Sequence, residues 1–212
     1  MAHDYIREAE KRYRSLLTEE CRQLFAGKSI PSHDHHHHER VWANASLLLD
    51  RLYAAGMVSD SRLAVKAIIA VFFHDTGLTV NSGSAHGRES RLICSSFLRR
   101  HDFASDECNE ILDAVEIHDN KEYPGLSDPA SLAAIISVAD DMDAFGETGI
   151  ERYTEIYAMR GIRAEDMPGF IIPNVISRYN HLKSTYHMFP DLVEEMSIRA
   201  ETVTSHFTRQ QK

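Results

Sequence analysis

Six positions in this 212-residue chain have the types and spacing of a metal site: His37, the adjacent pair His74-Asp75, His86, His118 and Asp140. The pair is the sharpest element. It closes the apolar stretch Ala67-Ile68-Ile69-Ala70-Val71-Phe72-Phe73, and Thr76-Gly77 follows at once. Placing an acid beside a histidine at the end of a core segment is unfavourable unless something compensates the charge. A divalent cation would do so, and imidazole with carboxylate suits Mn, Fe, Zn, Ni or Co better than Ca. Taken alone, the pair also reads as an acid opening a turn before Gly77, next to a hydrogen-bonded core histidine.

The elements that must position these residues read as helices. Asp4 is placed to cap a first helix running to Gly27, with Tyr5, Ala9, Tyr13, Leu16 and Leu17 along one side. Pro31-Ser32 opens a second helix that passes through the run His35-His36-His37-His38 and ends at Gly56. Its inward stripe is His37, Val41, Ala45, Leu48 and Leu52, in steps of three and four. Only one or two of four consecutive helical histidines can face the core, so His37 is the ligand candidate and the others are expected in solvent. His33 and Asp34, a turn earlier, could line the same cavity. The third segment starts at Ser59-Asp60-Ser61 and ends at Gly77. Its seven apolar residues would fit a buried strand, but Arg62-Leu63-Ala64-Val65-Lys66 leads in without a break, and the total length favours a central helix.

Further helices are expected from about Ala85 to His101 and from a Ser105-Asp106 cap to His118, separated from the third helix by a loop over residues 80–84. His86 shares a stripe with Ser90, Ile93 and Phe97, and His118 with Ile111 and Val115, so both point inward. After the break at Tyr123–Pro129, with Asp128 and Pro129 suited to the N-cap and first helical position, Leu132–Ala139 runs into Asp140-Asp141-Met142-Asp143, and Gly146 ends it. Negative charge is unfavourable at a helix C-terminus, and a bound cation would account for this acidic cluster. Asp143 lies one turn beyond Asp140, and Asp141 points away. Two or three more amphipathic helices, broken near Gly161, Pro168-Gly169 and Pro190, complete an all-α, single-domain helical bundle over residues 1–212.

Composition narrows the function. The net charge of -9 argues against an extended nucleic-acid or anionic-membrane surface but leaves room for a small phosphorylated ligand held locally. Cys21, Cys94 and Cys108 are odd in number and scattered, as expected of reduced thiols in a cytoplasmic protein. The N-terminal residues carry no apolar signal core, and no run reaches membrane-spanning length.

Taken in order, His37…His74-Asp75…Asp140 resembles the H…HD…D signature of the HD-domain superfamily of metal-dependent phosphohydrolases. Ser32–Ala45 is similar to the HDxxHxxRVxxxA opening of small bacterial members. Val71–Gly77 is similar to their apolar-HD-[TI]-G element, and His86-Gly87-Arg88-Glu89-Ser90 to the HxxxS segment. Asp140–Gly146 with Gly149–Arg152 is similar to the DxxxDAxG…GIxR ending. The resemblance covers about residues 30–155 and implies a helical bundle with one divalent metal (Mn, Fe, Mg, Co, Ni or Zn) on His37, His74, Asp75 and Asp140. It also implies that His86 and His118 either bind a second metal or face the substrate phosphate. Leu78 departs from the acid of the family's 5′-nucleotidases, and no GYP element follows the pair.

The activity implied is hydrolysis of a phosphate ester or phosphoanhydride, with a nucleotide as the expected substrate by analogy. Asp75 or Asp140 would accept the proton of the attacking water. Arg40, Arg88, Lys121 and Arg152 are the cations expected to neutralise the phosphate, Lys121 above all and Arg40 least, because Arg40 could instead pair with Glu39 or Asp34. A homo-oligomer is compatible with this reading. The alternative is a non-hydrolytic, metal-containing HD module that binds a ligand or regulates a partner.

Overall fold

The computed structural model describes residues 2–28, 30, 32–80, 86–101, 103, 105–120 and 128–210, without the side chains of 2–3 and 105–107. Lys121, the expected loop over 81–84 and the break over 123–127 lie outside the described residues. Among the described residues the protein is all-α: α1 (Ala2–Phe25), α2 (His35–Ala54), α3 (Arg62–Phe73), a 3-10 turn (Thr76–Thr79), α4 (His86–Arg100), α5 (Ser105–Ile117), α6 (Leu132–Asp143), α7 (Gly146–Met159), α8 (Met167–Thr185) and α9 (Pro190–Arg209).

The segment that could have been a strand is helical. All residues of α3 from Ala67 to Phe73 are buried, because α3 is wrapped by α1, α2, α5 and α6. A helix with neighbours on every side has no need of a polar face. The α2 stripe is also as expected, with His37, Val41, Ala45, Leu48 and Leu52 all fully buried. α2 lies along α6, which is how His37 comes to sit beside the acids at the end of that helix. The C-terminal helices close the bundle, α8 on α6 and α9 on α7 and α8.

Helix starts differ from the sequence expectations in three places. α2 begins at His35 rather than at Pro31-Ser32, because the Asp34 carboxylate accepts from the backbone N–H groups of His36 and His37 and terminates the helix there. Asp34 is therefore a cap and not part of a cavity wall. α6 is capped by Ser131, whose hydroxyl accepts from Ala134 N–H. Asp128 instead holds the preceding turn through Ala130 N–H. Asp4 lies inside the first turn of α1. α3 ends at Phe73, short of Gly77, so His74 is its C-cap and Asp75 begins the 3-10 turn. The expected break at Gly161 falls between α7 and α8, Pro190 is the first residue of α9, and Pro168-Gly169 lies in the first turn of α8.

Candidate metal centre

The bundle brings the ends of four helices to one point. His37 comes from the first turn of α2, His74 and Asp75 from the end of α3, His118 from just beyond α5, and Asp140 from the last turn of α6. His37 Nε2 stands 3.2 Å from His74 Nε2, 3.3 Å from Asp75 Oδ2 and 3.6 Å from Asp140 Oδ1. His74 Nε2 is 3.2 Å from Asp75 Oδ2. Ligand atoms bound at about 2.0–2.2 Å to one ion, in tetrahedral or octahedral geometry, lie roughly 3–3.5 Å from each other, so these separations fit a shared cation. These buried groups could hold a metal ion.

Proton positions sharpen the point. His74 Nδ1 is 2.7 Å from the Val71 carbonyl, and His118 Nδ1 is 2.7 Å from the Val115 carbonyl. A carbonyl only accepts, so both Nδ1 atoms carry the proton. The same device operates at the ends of α3 and α5: the ring caps a terminal carbonyl of its own helix and turns Nε2 outward. His37 Nδ1 donates in the same way to Asp143 Oδ2, at 2.8 Å. Unless they carry a second proton, these three rings direct Nε2 lone pairs at one another and at the Asp75 carboxylate, all buried. Acceptors facing acceptors are unfavourable unless a cation or extra protons lie between them.

Asp75 divides its two oxygens. Oδ2 faces His37 and His74, with His33 Nε2 at 3.7 Å. Oδ1 faces His118 Nε2 at 3.0 Å and His86 Nε2 at 3.3 Å. Burial pushes the Asp75 pKa up, but the surrounding imidazoles, His74 foremost, more than reverse this and hold it well below the usual carboxylate range. Burial lowers the His74 pKa, and the Asp75 charge more than offsets that, leaving it raised.

Two glycines allow the close approach of these elements. A Cβ on Gly77 would meet the His86 carbonyl at 2.0 Å, and one on Gly87 would meet the Glu116 carbonyl at 2.3 Å. Only a residue without a side chain lets the 3-10 turn, the start of α4 and the end of α5 come this near. Gly77 N–H also donates to Ser90 Oγ at 2.8 Å. His86 is thereby set beside His118, with ring centroids 5.3 Å apart.

Charge is balanced almost entirely within the site. Asp75, Asp140, Asp141 and Asp143 are all buried. Asp143 accepts from Arg40 Nε at 2.8 Å and Arg152 Nη1 at 3.0 Å. Arg152 Nη2 reaches Asp140 Oδ1 at 3.4 Å. Arg178 Nη1 lies 3.2 Å from Asp140 Oδ2 and 2.6 Å from Asp141 Oδ1. With the histidines neutral, three guanidiniums against four carboxylates leave one negative charge, and Asp75 is the acid with no arginine partner among these contacts. A divalent cation would turn that local balance positive, as a site for an anionic ligand needs.

Several residues have other places than the sequence suggested. Arg40 pairs with Asp143, while Glu39 is engaged by Arg14 and Thr18. Arg88 is exposed and away from the cavity. His38 is fully buried rather than solvated. Its Nδ1 donates to the Asp34 carbonyl, its ring packs on Phe25 and His74, and burial keeps its pKa well below the ordinary histidine value. Asp141 points away from His37 and His74 as expected, yet into a buried pair with Arg178, and with His181 3.4 Å away. Arg178 and Asn174, on α8 beyond the region that carried the resemblance, line the site and had no local sequence signal.

The centre opens into a cavity of about 620 Å³. His33, Asp75, His86, His118 and Asp119 line one part, and α7 with its C-cap Arg160 and α8 supply Arg152, Tyr153, Tyr157, Arg160, Asn174 and Arg178. Ser32, in the left-handed region at φ 61°, bonds Glu155 of α7 and ties the approach to α2 against this wall. Comparison of the chain with protein-family models, with curated proteins and with solved structures gives no match.

Proposed function

We propose that this chain is a metal-dependent phosphohydrolase of the HD-domain type, cleaving a phosphate ester or anhydride in a small phosphorylated metabolite, with nucleotides as the substrate class. The observation that carries this reading is the convergence of three imidazole Nε2 atoms on one buried carboxylate, at a cavity also lined by arginine. The order of the ligands along the chain and their placement at helix ends support the same family.

A divalent cation on His37, His74, Asp75 and Asp140 would supply Lewis acidity toward a phosphate oxygen and acidify a water. The chain's own groups do the rest. Asp75 or Asp140 accepts the proton of the attacking water. Arg152, fixed by Asp140 and Asp143, faces the cavity and offsets charge that builds on the phosphate. His86 and His118 either donate to phosphate oxygens as imidazolium or, neutral, hold a second ion with Asp75 Oδ1. A stoichiometry of one or two metals per chain separates these two arrangements.

The test is phosphate or pyrophosphate release across a nucleotide panel with Mn, Mg, Co and Ni each supplied. Release with at least one pair is expected, falling at least about a hundredfold in Asp75→Asn. No release from any pair would refute hydrolysis. Substoichiometric metal in the purified protein, unaltered by His37→Ala with Asp140→Ala, would refute the metal centre itself.

A further inference from the structure

The part of the cavity formed by α7 and α8 is not needed to hold a metal, and its chemistry is one-sided. Along α7 and its C-cap it runs from Arg152 through Tyr153 and Tyr157 to Arg160, eight residue steps and about 12 Å at the helical rise. That length suits a ligand reaching outward from the metal ligands rather than a bare phosphate. Arg160, at the outer end, has its guanidinium 5.5 Å from the centre of the Tyr157 ring.

Asn174, which lines the cavity from α8, meets Tyr153 of α7, and its amide has a single workable orientation. Its Oδ1 accepts from Tyr153 Oη at 2.8 Å and from Arg178 Nε at 2.9 Å. Arg178 Nε can only donate. Burial pushes the Tyr153 pKa up to about 12, so its hydroxyl keeps the proton it donates. A flipped amide would set an N–H group against the Arg178 Nε–H, which cannot accept, so Arg178 fixes the orientation. The carbonyl is therefore spoken for, and the polar group that Asn174 offers a ligand is Nδ2, a donor. Arg152, Arg160 and Arg178 are donors only as well.

We infer that Asn174 is a specificity-determining residue, selecting ligands that present an oxygen acceptor, rather than an amino donor, to the α7–α8 side of the cavity. This rests on the nucleotide reading of the site given above. The acceptor has two sources in that class: a nucleobase carbonyl or an oxygen of a second phosphate.

The experiment is calorimetric titration of the Mn-loaded protein with IMP, AMP and ADP, with phosphate release followed in parallel. IMP carries a carbonyl where AMP carries an amino group, and ADP adds a phosphate to AMP. One hydrogen bond gained against one donor clash corresponds to a preference on the order of tenfold over AMP. A preference for IMP assigns the acceptor to the base, and one for ADP to the second phosphate. Asn174→Asp keeps Oδ1 for Tyr153 and Arg178 and replaces the donor by an acceptor. It reverses an IMP preference or abolishes an ADP preference, and Asn174→Ala levels either one. These are ratios within one protein, so a general loss of folding does not mimic them. Ratios unchanged within about twofold in both variants, or no binding of any of the three by the wild type, overturn the inference. Hydrolysis without preference removes only the role of Asn174, and preference without hydrolysis removes only the catalytic reading.

Discussion

Replacing Asp143 by Asn removes one charge and leaves the shape of the side chain. Asp143 is 3% exposed and accepts from His37 Nδ1, Arg40 Nε and Nη2, and Arg152 Nη1. Burial raises its pKa, but the hydrogen bond from His37, the Arg152 charge and Arg40 together bring it from 3.8 down to about 2. At about 1.4 kcal/mol per pKa unit, that difference is worth roughly 2–3 kcal/mol of folding stability at neutral pH. So little exposure leaves it largely unscreened. The folded pKa is below the unfolded one, so the contribution is complete above about pH 4 and is lost as the pH falls from 3.8 toward about 2. Denaturant unfolding of the metal-free proteins is expected to show Asp143→Asn about 2–3 kcal/mol less stable at pH 7, with the gap narrowing toward pH 3. The amide also no longer secures the Nδ1 proton of His37, so metal affinity is expected to fall about 10- to 100-fold. A stability difference under about 0.5 kcal/mol at pH 7, together with unchanged metal affinity, refutes the reasoning that Asp143 orients His37 and anchors both arginines.

Gly87→Ala places a methyl against the Glu116 carbonyl; unfolding should register a loss of about 1–3 kcal/mol, and phosphate release should fall far more than metal content, because His86 moves away from His118. Leu48→Ala, at a fully buried α2 position, should cost about 2–5 kcal/mol in the same assay. Burial pushes the thiols of Cys21 and Cys94 far up, so iodoacetamide at pH 8 is expected to modify the native protein at most once, at the partly buried Cys108, with mass spectrometry as the readout. Arg178→Lys keeps a charge but cannot span Asp140, Asp141 and Asn174 as the guanidinium does; a metal titration should show weaker binding, and an unchanged affinity would remove Arg178 from the positioning of Asp140.

Residues whose role follows from local pattern were legible in the sequence. His37 lies on a stripe with Val41, Ala45, Leu48 and Leu52, so helical spacing alone aimed it inward, and His74-Asp75 marked the end of an apolar run. The parts that were not legible depend on partners distant along the chain. Nothing near Arg178 says that it meets acids some forty residues earlier. Nor does anything in the histidine run say that Phe25 and His74 close over His38. Asp34 was misread because one carboxylate can line a cavity or cap a helix, and only the backbone angle at that residue decides between them. Arg40 ranks last among the expected phosphate cations, with Glu39 or Asp34 as its expected partners, because the acid it meets, Asp143, lies on another helix and leaves no mark on local spacing.

Asp75 is a single carboxylate with histidines at both oxygens. Electron density drawn toward one oxygen is no longer available to the other. With a cation at the His37–His74 end, its occupancy and that of the His86–His118 end would be linked functions. If an anionic ligand on the His86 side tightens metal binding by some factor, the metal tightens that ligand by the same factor. Metal affinity for this protein is then defined only together with the ligand concentration at which it is measured, and an apparent metal preference among Mn, Co and Ni can shift with the ligand present.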